Sequence, residues 1–193
     1  MRKLSNILVV LVAVAVLYGM QRTKPRYGEL TGPIPVHGRM HETVHTREFD
    51  VRLDKVTFAR ELTFTQFGKT KVLTTSGLWA VVTGQLAATT STTTVSAATW
   101  LGPTGLKYGL TGRVGGAASL PPYDLAPGLP KQARFVFELL PDQVNGATLV
   151  LSSKPEPALD SEARIAIDDF RKFNDGQPLI VDRLDPLSPV SGS

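Results

Sequence analysis

An uninterrupted apolar run, Ile7 to Met20 (ILVVLVAVAVLYGM), stands at the start of the chain, preceded by Arg2 and Lys3 and followed by Arg22, Lys24 and Arg26. Such a run buries itself in lipid or in a protein core, and basic residues on both flanks point to lipid headgroups. At about 1.5 Å per residue the strictly apolar part covers roughly 21 Å, short of a bilayer core of about 30 Å. Residues 4–6 and the snorkelling side chains of Arg22 and Lys24 extend it toward the lower limit of a transmembrane helix. A cleaved signal peptide is the rival, because a basic start and a short apolar core are its signature. No good small-x-small site follows the core, and the nearest, Ala13-x-Ala15, lies inside it. The reading adopted is an uncleaved signal anchor over residues 1–26 that meets the lipid bilayer through residues 4–24. It makes a single-pass protein of the cell membrane, with a cytoplasmic N-terminus and an extracytoplasmic domain on the periplasmic or cell-wall side. Basic residues on both flanks leave the positive-inside rule undecided, so orientation rests on the long C-terminal part being the folded one.

The net charge of +4 belongs to the anchor. Five basic residues flank the apolar run, and beyond Arg26 there are 16 Lys and Arg against 17 Asp and Glu, a net of −1. A folded part without basic excess is a poor nucleic-acid binder, so no nucleic-acid partner is expected. Cysteine is absent, which excludes disulfides and a lipid-bearing cysteine alike.

Residues 27–35, rich in proline and glycine, form a linker or lead-in strand. The domain proper spans 36–170. Glu48 to Phe58 alternates Phe49, Val51 and Leu53 against Asp50, Arg52 and Asp54, the period of a half-buried strand. The phase slips at Lys55-Val56, where a β-bulge is expected. Further strands are expected over Gly77–Ala88, Thr94–Leu101, Leu106–Leu110, Ala133–Leu140, Ala147–Ser152 and Ala163–Asp168. Thr89–Thr94 should form a turn with adjoining strand positions, and Gly112–Pro130 should be mostly loop. Seven or so short strands without a long helical period predict an all-β, immunoglobulin-like antiparallel β-sandwich behind an N-terminal transmembrane helix.

The residues Gly38, Val51-x-Leu53, Leu78-Trp79-Ala80-Val81-Val82, Gly105-x-x-Tyr108, Leu125-Ala126-Pro127-Gly128, Phe135-Val136-Phe137-Glu138 and Ala147-x-Leu149-x-Leu151 occur in that order. In this succession the chain resembles the DUF4352/MPT63-like bacterial immunoglobulin-like domains over about residues 36–169. The resemblance implies an envelope-associated β-sandwich and no particular activity. The chain departs from the pattern in three ways: it lacks the lipid-bearing cysteine, carries an insertion at Arg60–Thr70, and extends at its C-terminus.

No catalytic residue is assigned. Nucleophile chemistry needs a base held by a third group, and no Gly-x-Ser-x-Gly turn occurs. The carboxylate pairs Asp50/Asp54 and Asp168/Asp169 suit strand solvation, although a glycosidase-like acid and base depend on a separation that sequence does not show. His37, His41 and His45 recur every four residues and are the candidate metal ligands. In a strand they would span roughly 26 Å, too far for one ion, so they are read as polar edge residues and no cofactor is expected. Trp79 is expected in the core; Trp100, before a turn, is a candidate for the rim and for partner contact. From Arg171 the chain becomes a charged, proline-rich tail for which disorder is the default. Leu179, Ile180 and Val181 within it can add as an edge strand to their own sheet or to a partner's.

These readings make the chain a non-catalytic interaction or accessory component of a bacterial envelope complex, with another membrane or envelope protein as its partner. The alternative is a solute- or metal-binding envelope protein using the His37–His45 region. A hydrolase would instead require a concave pocket with convergent polar groups.

Overall fold

The computed structural model describes residues 2–23, 31–114, 120–155, 160–168 and 178–188. It divides into two compact units, residues 1–32 and 33–193. Asp169, residues 27–30 of the expected linker, 115–119 of the expected loop, and 171–177 and 189–193 of the expected tail lie outside the described residues.

The first unit holds one helix, α1 (Arg2–Thr23). Its segment Asn6–Thr23 is 18 residues long with a mean hydropathy of 1.6, and is long and apolar enough to cross a membrane or to serve as a signal sequence. The whole 22-residue helix is roughly 33 Å long at the α-helical rise. Its last turn is polar and tied to itself. Arg22 donates to the Tyr18 hydroxyl at 2.7 Å, and Thr23 Oγ1 donates to the Gly19 carbonyl at 3.2 Å.

The second unit is a β-sandwich. One sheet contains β1 (Ile34–Arg39), β6 (Ala97–Leu101), β7 (Lys107–Gly109), β10 (Thr148–Ser152) and β11 (Ser161–Ala166), in the order β1-β11-β10-β6-β7. The other contains β2 (Thr43–His45), β3 (Phe49–Gln66), β4 (Lys69–Ala88), β9 (Lys131–Leu139) and β12 (Ile180–Leu184), in the order β12-β3-β4-β9 with β2 also on β3. A small ribbon pairs β5 (Thr93–Val95) with β8 (Tyr123–Leu125). Pairing is antiparallel except for β1 on β11 and β12 on β3, which are parallel. Ser96 ends β5 and starts the transfer to β6; its hydroxyl donates to the Ser153 carbonyl at 2.8 Å, so the strand expected over Thr94–Leu101 is two.

The expected bulge is present. The β3–β4 register shifts between Leu53 and Lys55, beside the pair Leu53–Gly84. A Cβ on Gly84 would lie 2.3 Å from the Arg52 carbonyl oxygen, so only glycine admits this close approach. A second shift, between Ala59 and Glu61, was not foreseen. It carries the two strands straight through the segment read as an insertion, Arg60–Thr70, to a two-residue turn at Phe67-Gly68. Both turn residues have positive φ, 52° and 73°, as a type I′ turn requires.

The inner faces enclose the main core. Trp100 is fully buried there, meeting Phe58 edge-on at 6.1 Å and Phe137 at 5.9 Å, while its Nε1 donates to the Gln143 carbonyl at 2.9 Å. Trp100 is therefore a core residue and not the rim contact expected. A second apolar cluster lies on the outer face of the β3–β4–β9 sheet, formed by Ala59, Leu62, Phe64, Trp79, Val81 and Val136. Trp79 is buried as expected, but in this outer cluster and not between the sheets.

The chain's entry into the sandwich is locked by charge. Ile34 N donates to the Asp160 carbonyl at 2.8 Å, and Arg47 grips the Asp160 carboxylate with both arms of its guanidinium, at 3.1 and 2.8 Å. The Arg47 guanidinium, assisted by the Ser161 N–H, holds the Asp160 carboxyl below the usual carboxylate range against the opposing effect of burial.

Two predictions follow from these contacts. Because the native carboxyl is depressed relative to the unfolded one, the stability it supplies is complete above about pH 5 and drains as the pH falls through the ordinary carboxylate range. Asp160→Asn is expected to lower the melting temperature at pH 7 and to flatten the acid limb; an unchanged acid limb by thermal melting would contradict this. At the turn, a bulky residue in the left-handed region is strained, whereas asparagine tolerates it. Phe67→Asn is expected to raise stability by about 0.5–1 kcal/mol, a melting increase of about 1–4 °C for a chain of this length.

Candidate functional site

The three histidines do not converge. His37 is exposed on β1 opposite Arg164, in one sheet, and His45 is on β2 in the other. His41 sits between them with φ of 67°, its N–H donating to the Leu53 carbonyl at 2.9 Å, so the chain turns where a common face would have to continue. His45 Nδ1 lies 2.9 Å from Asp50 Oδ1. Among the described residues, no group of three His, Cys, Asp or Glu side chains is arranged to hold a metal ion. The paired carboxylates also separate: Asp50 faces His45, while Asp54 occupies the bulge and meets Arg52 at 3.4 Å.

Of the triplet Leu179, Ile180 and Val181, the last two take the edge-strand option, within their own chain. Ile180 pairs with Phe58 and Leu184 with Leu62, so part of the segment expected to be a disordered tail is a strand of the sheet. Val181, Leu184 and Leu187 pack on the outer cluster around Trp79, while Leu179 remains exposed. The apolar run Leu179-Ile180-Val181 is itself the signal that a proline-rich composition obscured.

Arg134 secures this strap. On the outer face of β9, it is buried and donates through one terminal nitrogen to the Pro186 carbonyl and through the other to the Ser188 carbonyl at 2.5 Å. Burial pushes the guanidinium's pKa down, opposed by Tyr123 and Asp185. The Tyr123 hydroxyl exchanges hydrogen bonds with the Arg134 backbone, accepting from its N–H at 2.6 Å and donating to its carbonyl at 2.7 Å. Burial raises the pKa of this phenol to about 12. On the other side of the cluster the Arg113 guanidinium lies 5.1 Å over the Trp79 ring and reaches Glu138 at 3.3 Å. A hollow of about 510 Å³ at the β12–β3 seam is lined by Arg60, Glu61, Asp182 and Arg183. Arg183 and Glu61 pair there at 3.1 Å and Arg60 lies 4.0 Å from Asp182, so these charges partner one another across the strand pairing.

The far end of the β3–β4 hairpin is different. Pairing of β12 with β3 ends at Leu62, and that of β9 with β4 begins at Leu78. Between them, Thr63–Gln66 and Lys69–Val72 pair only with each other among the described residues, forming an arm. Phe67 at its tip is 90% exposed, and Val72 is exposed beside it. From Leu62 to Ser76 the only charged residues are Lys69 and Lys71. Lys71 Nζ donates to Gln66 Oε1 at 2.6 Å across the turn. The residues of this tip were passed over in the sequence as an insertion; the pattern Leu62-x-Phe64 followed by Phe67-Gly68 is the signal that finds it.

No family model and no curated protein matches the chain. Among solved structures, MPT63, a secreted protein from Mycobacterium tuberculosis, is similar with a TM-score of 0.50 and 12% identity, covering 69% of this chain and 98% of that one. The YjhA protein from Bacillus subtilis matches with 9% identity and a TM-score of 0.48, covering 66% of this chain and 99% of that one. An uncharacterised β-sandwich protein from Clostridium difficile 630 matches with 11% identity and a TM-score of 0.43, over 75% and 99%. Some two thirds of this chain thus reproduces nearly the whole of MPT63, and the second unit is an MPT63-like β-sandwich in fold.

Proposed function

We propose that the chain is a membrane-anchored extracytoplasmic interaction module, a non-catalytic accessory component of a bacterial envelope complex of the DUF4352 kind. One observation carries the reading: an apolar helix whose side chains from Asn6 to Thr23 are all exposed precedes a sandwich of the same fold as a secreted protein. Exposed apolar side chains along a whole helix have no place in water, and lipid supplies the missing environment. The sandwich itself is filled, with Trp100, Phe58, Phe135 and Phe137 meeting between the sheets. Ion pairs such as Arg47–Asp160 and Arg113–Glu138 tie separate segments of it together. Function then resides in surfaces, and an anchor raises the effective concentration of any partner in the same membrane.

The reading is tested by alkaline extraction of native membranes, N-terminal mass determination, and affinity purification in mild detergent with stoichiometry by mass spectrometry. The expected outcome is a chain that stays in the membrane pellet with its first 26 residues intact and emerges with one envelope protein in fixed ratio. A soluble chain lacking the apolar segment would overturn the anchor. An intact, membrane-bound chain that purifies alone would overturn the accessory role.

A further inference from the structure

The strap is held as a peptide ligand would be. β12 adds to the edge of β3, while Val181, Leu184 and Leu187 settle on the outer cluster and Arg134 takes the carbonyls of Pro186 and Ser188. Strand addition with pockets for alternate side chains is how sheet edges bind extended segments. These contacts are to backbone or to apolar side chains, so they do not require the occupant to belong to the same chain. β12 also pairs with β3 alone, over five residues and in the parallel sense, the less stable of the two. The strap leaves the groove imperfectly matched. Among the described residues three buried side-chain polar atoms lack a hydrogen-bond partner, and two of them are Trp79 Nε1 and Arg134 Nε, in the surface that the strap covers. Trp79 is fully buried, and Arg134, at 6% exposure, is the only buried cation described. Both orphan atoms are donors, and a buried donor without an acceptor bears its whole desolvation penalty. Pro186 is the one residue of the strap that is itself buried, and its side chain has no acceptor to give.

We propose that the strap is a resident stand-in for a partner: the groove is a strand-acceptor site whose preferred occupant is an extended segment of another protein, apolar where Val181, Leu184 and Leu187 sit and carrying a carboxylate at the position of Pro186. The inference deepens the interaction-module reading and rests on it. A carboxylate there accepts from the guanidinium side-on, through Nε and a terminal nitrogen, in short charge-assisted bonds, and it pairs a buried cation that the strap meets only with carbonyls. Charge complementarity thus favours a partner's acidic segment over the strap of a second copy, which would bring the same proline and leave the same donors unmet. The strap keeps Trp79 covered while no partner is present, and the apparent affinity of the partner is reduced by the fraction of time the groove is vacant.

The test locks the strap in place. Glu61 and Arg183 are register partners in the β3–β12 pairing, and the chain has no cysteine, so Glu61→Cys with Arg183→Cys introduces the only two thiols. The full chain in detergent is compared in its oxidised, locked form and its reduced form, with near-ultraviolet circular dichroism establishing that both are folded. The probes are fluorescent peptides copying residues 178–188, one with the native sequence, one with Pro186→Glu and one with Pro186→Gln, followed by anisotropy. The expected result is binding to the reduced form, loss of binding on locking, and the Glu peptide tighter than the Gln peptide by about tenfold. In the chain carrying Arg134→Lys, which keeps the charge and removes Nε, that preference is expected to shrink. No binding to the reduced form, or binding indifferent to the lock, would overturn the groove. Equal binding of the Glu and Gln peptides would overturn the carboxylate assignment. A native peptide as tight as the Glu peptide would assign the groove to a second copy and overturn the proposal. Purification from native membranes reads the module separately: a partner retained equally by the wild type and the locked chain defeats the groove and leaves the module standing, whereas a chain that binds the Glu peptide yet purifies alone defeats the module.

Discussion

The pairing of β3 with β4 is the interaction on which the remainder of the molecule depends. These strands, 18 and 20 residues long, are joined by a two-residue turn and form the middle of their sheet. Along the central stretch both faces are apolar: Phe58, Ala80 and Val82 point inward, while Ala59, Trp79 and Val81 point outward. A sheet apolar on both faces requires cover on both. The first sheet covers one side. The strap formed by β12 and Pro186–Leu187, with Val114 and Leu120, covers the other. The C-terminal segment is thus demanded by Trp79, in that exposing a buried indole to water costs more than ordering a short strand recovers by remaining free.

The means of holding that cover is unusual for a cation. Arg134 is anchored by the carbonyl oxygens of Pro186 and Ser188 rather than by a carboxylate in direct contact, and Asp185 acts on it only at longer range. Carbonyl acceptors take the two terminal nitrogens of the guanidinium, leaving its buried Nε without a partner among the described residues, and they bring no second ion out of water, which avoids the larger desolvation cost of a buried ion pair. They also read the backbone of the strap, so that the latch closes on one register. The parallel pairing of Ile180 with Phe58 through Leu184 with Leu62 sets the same register from the other side of the segment. Packing, hydrogen bonding and strand pairing agree on a single placement, and that agreement is what makes a short charged segment a defined part of the structure.

Much of the fold was legible because period-2 alternation survives wherever one face is buried. The strands expected from Glu48, Gly77, Ala133, Ala147 and Ala163 are all present, the first running on to Gln66 and the second beginning at Lys69, and the slip at Lys55 is a real bulge. What was not legible shares one cause, which is burial by a layer that sequence does not announce. Leu62 and Phe64 alternate properly, but after the second bulge they face outward, and an outward apolar face means nothing until its cover is known. Ile180 to Leu184 is short and has no period-2 alternation with which to outweigh the surrounding prolines. Trp100 was misplaced because its position beside a turn suggested a rim, whereas its Nε1 is satisfied by the Gln143 carbonyl, a partner 43 residues away along the chain. Of the candidate sites, the histidines dispersed and the Leu179–Val181 triplet found its own sheet. The arm tip escaped notice because Phe-Gly is a rarer I′ turn than Asn-Gly, so the residue that makes the tip distinctive also hid the turn.

The distribution of apolar surface gives the molecule its division of labour. The sandwich conceals its aromatic residues on both faces of the β3–β4 sheet, using a dedicated strap for the outer ones. A chain built with that degree of cover does not leave a phenylalanine 90% exposed for want of a place to put it. The same hairpin buries Phe64 three positions earlier within the outer cluster, so the arm can hold an aromatic under cover, and Phe67 is exposed because it sits in the turn. An ordinary I′ turn would satisfy the backbone with asparagine, at lower strain and with no apolar surface. Retaining phenylalanine there sacrifices both.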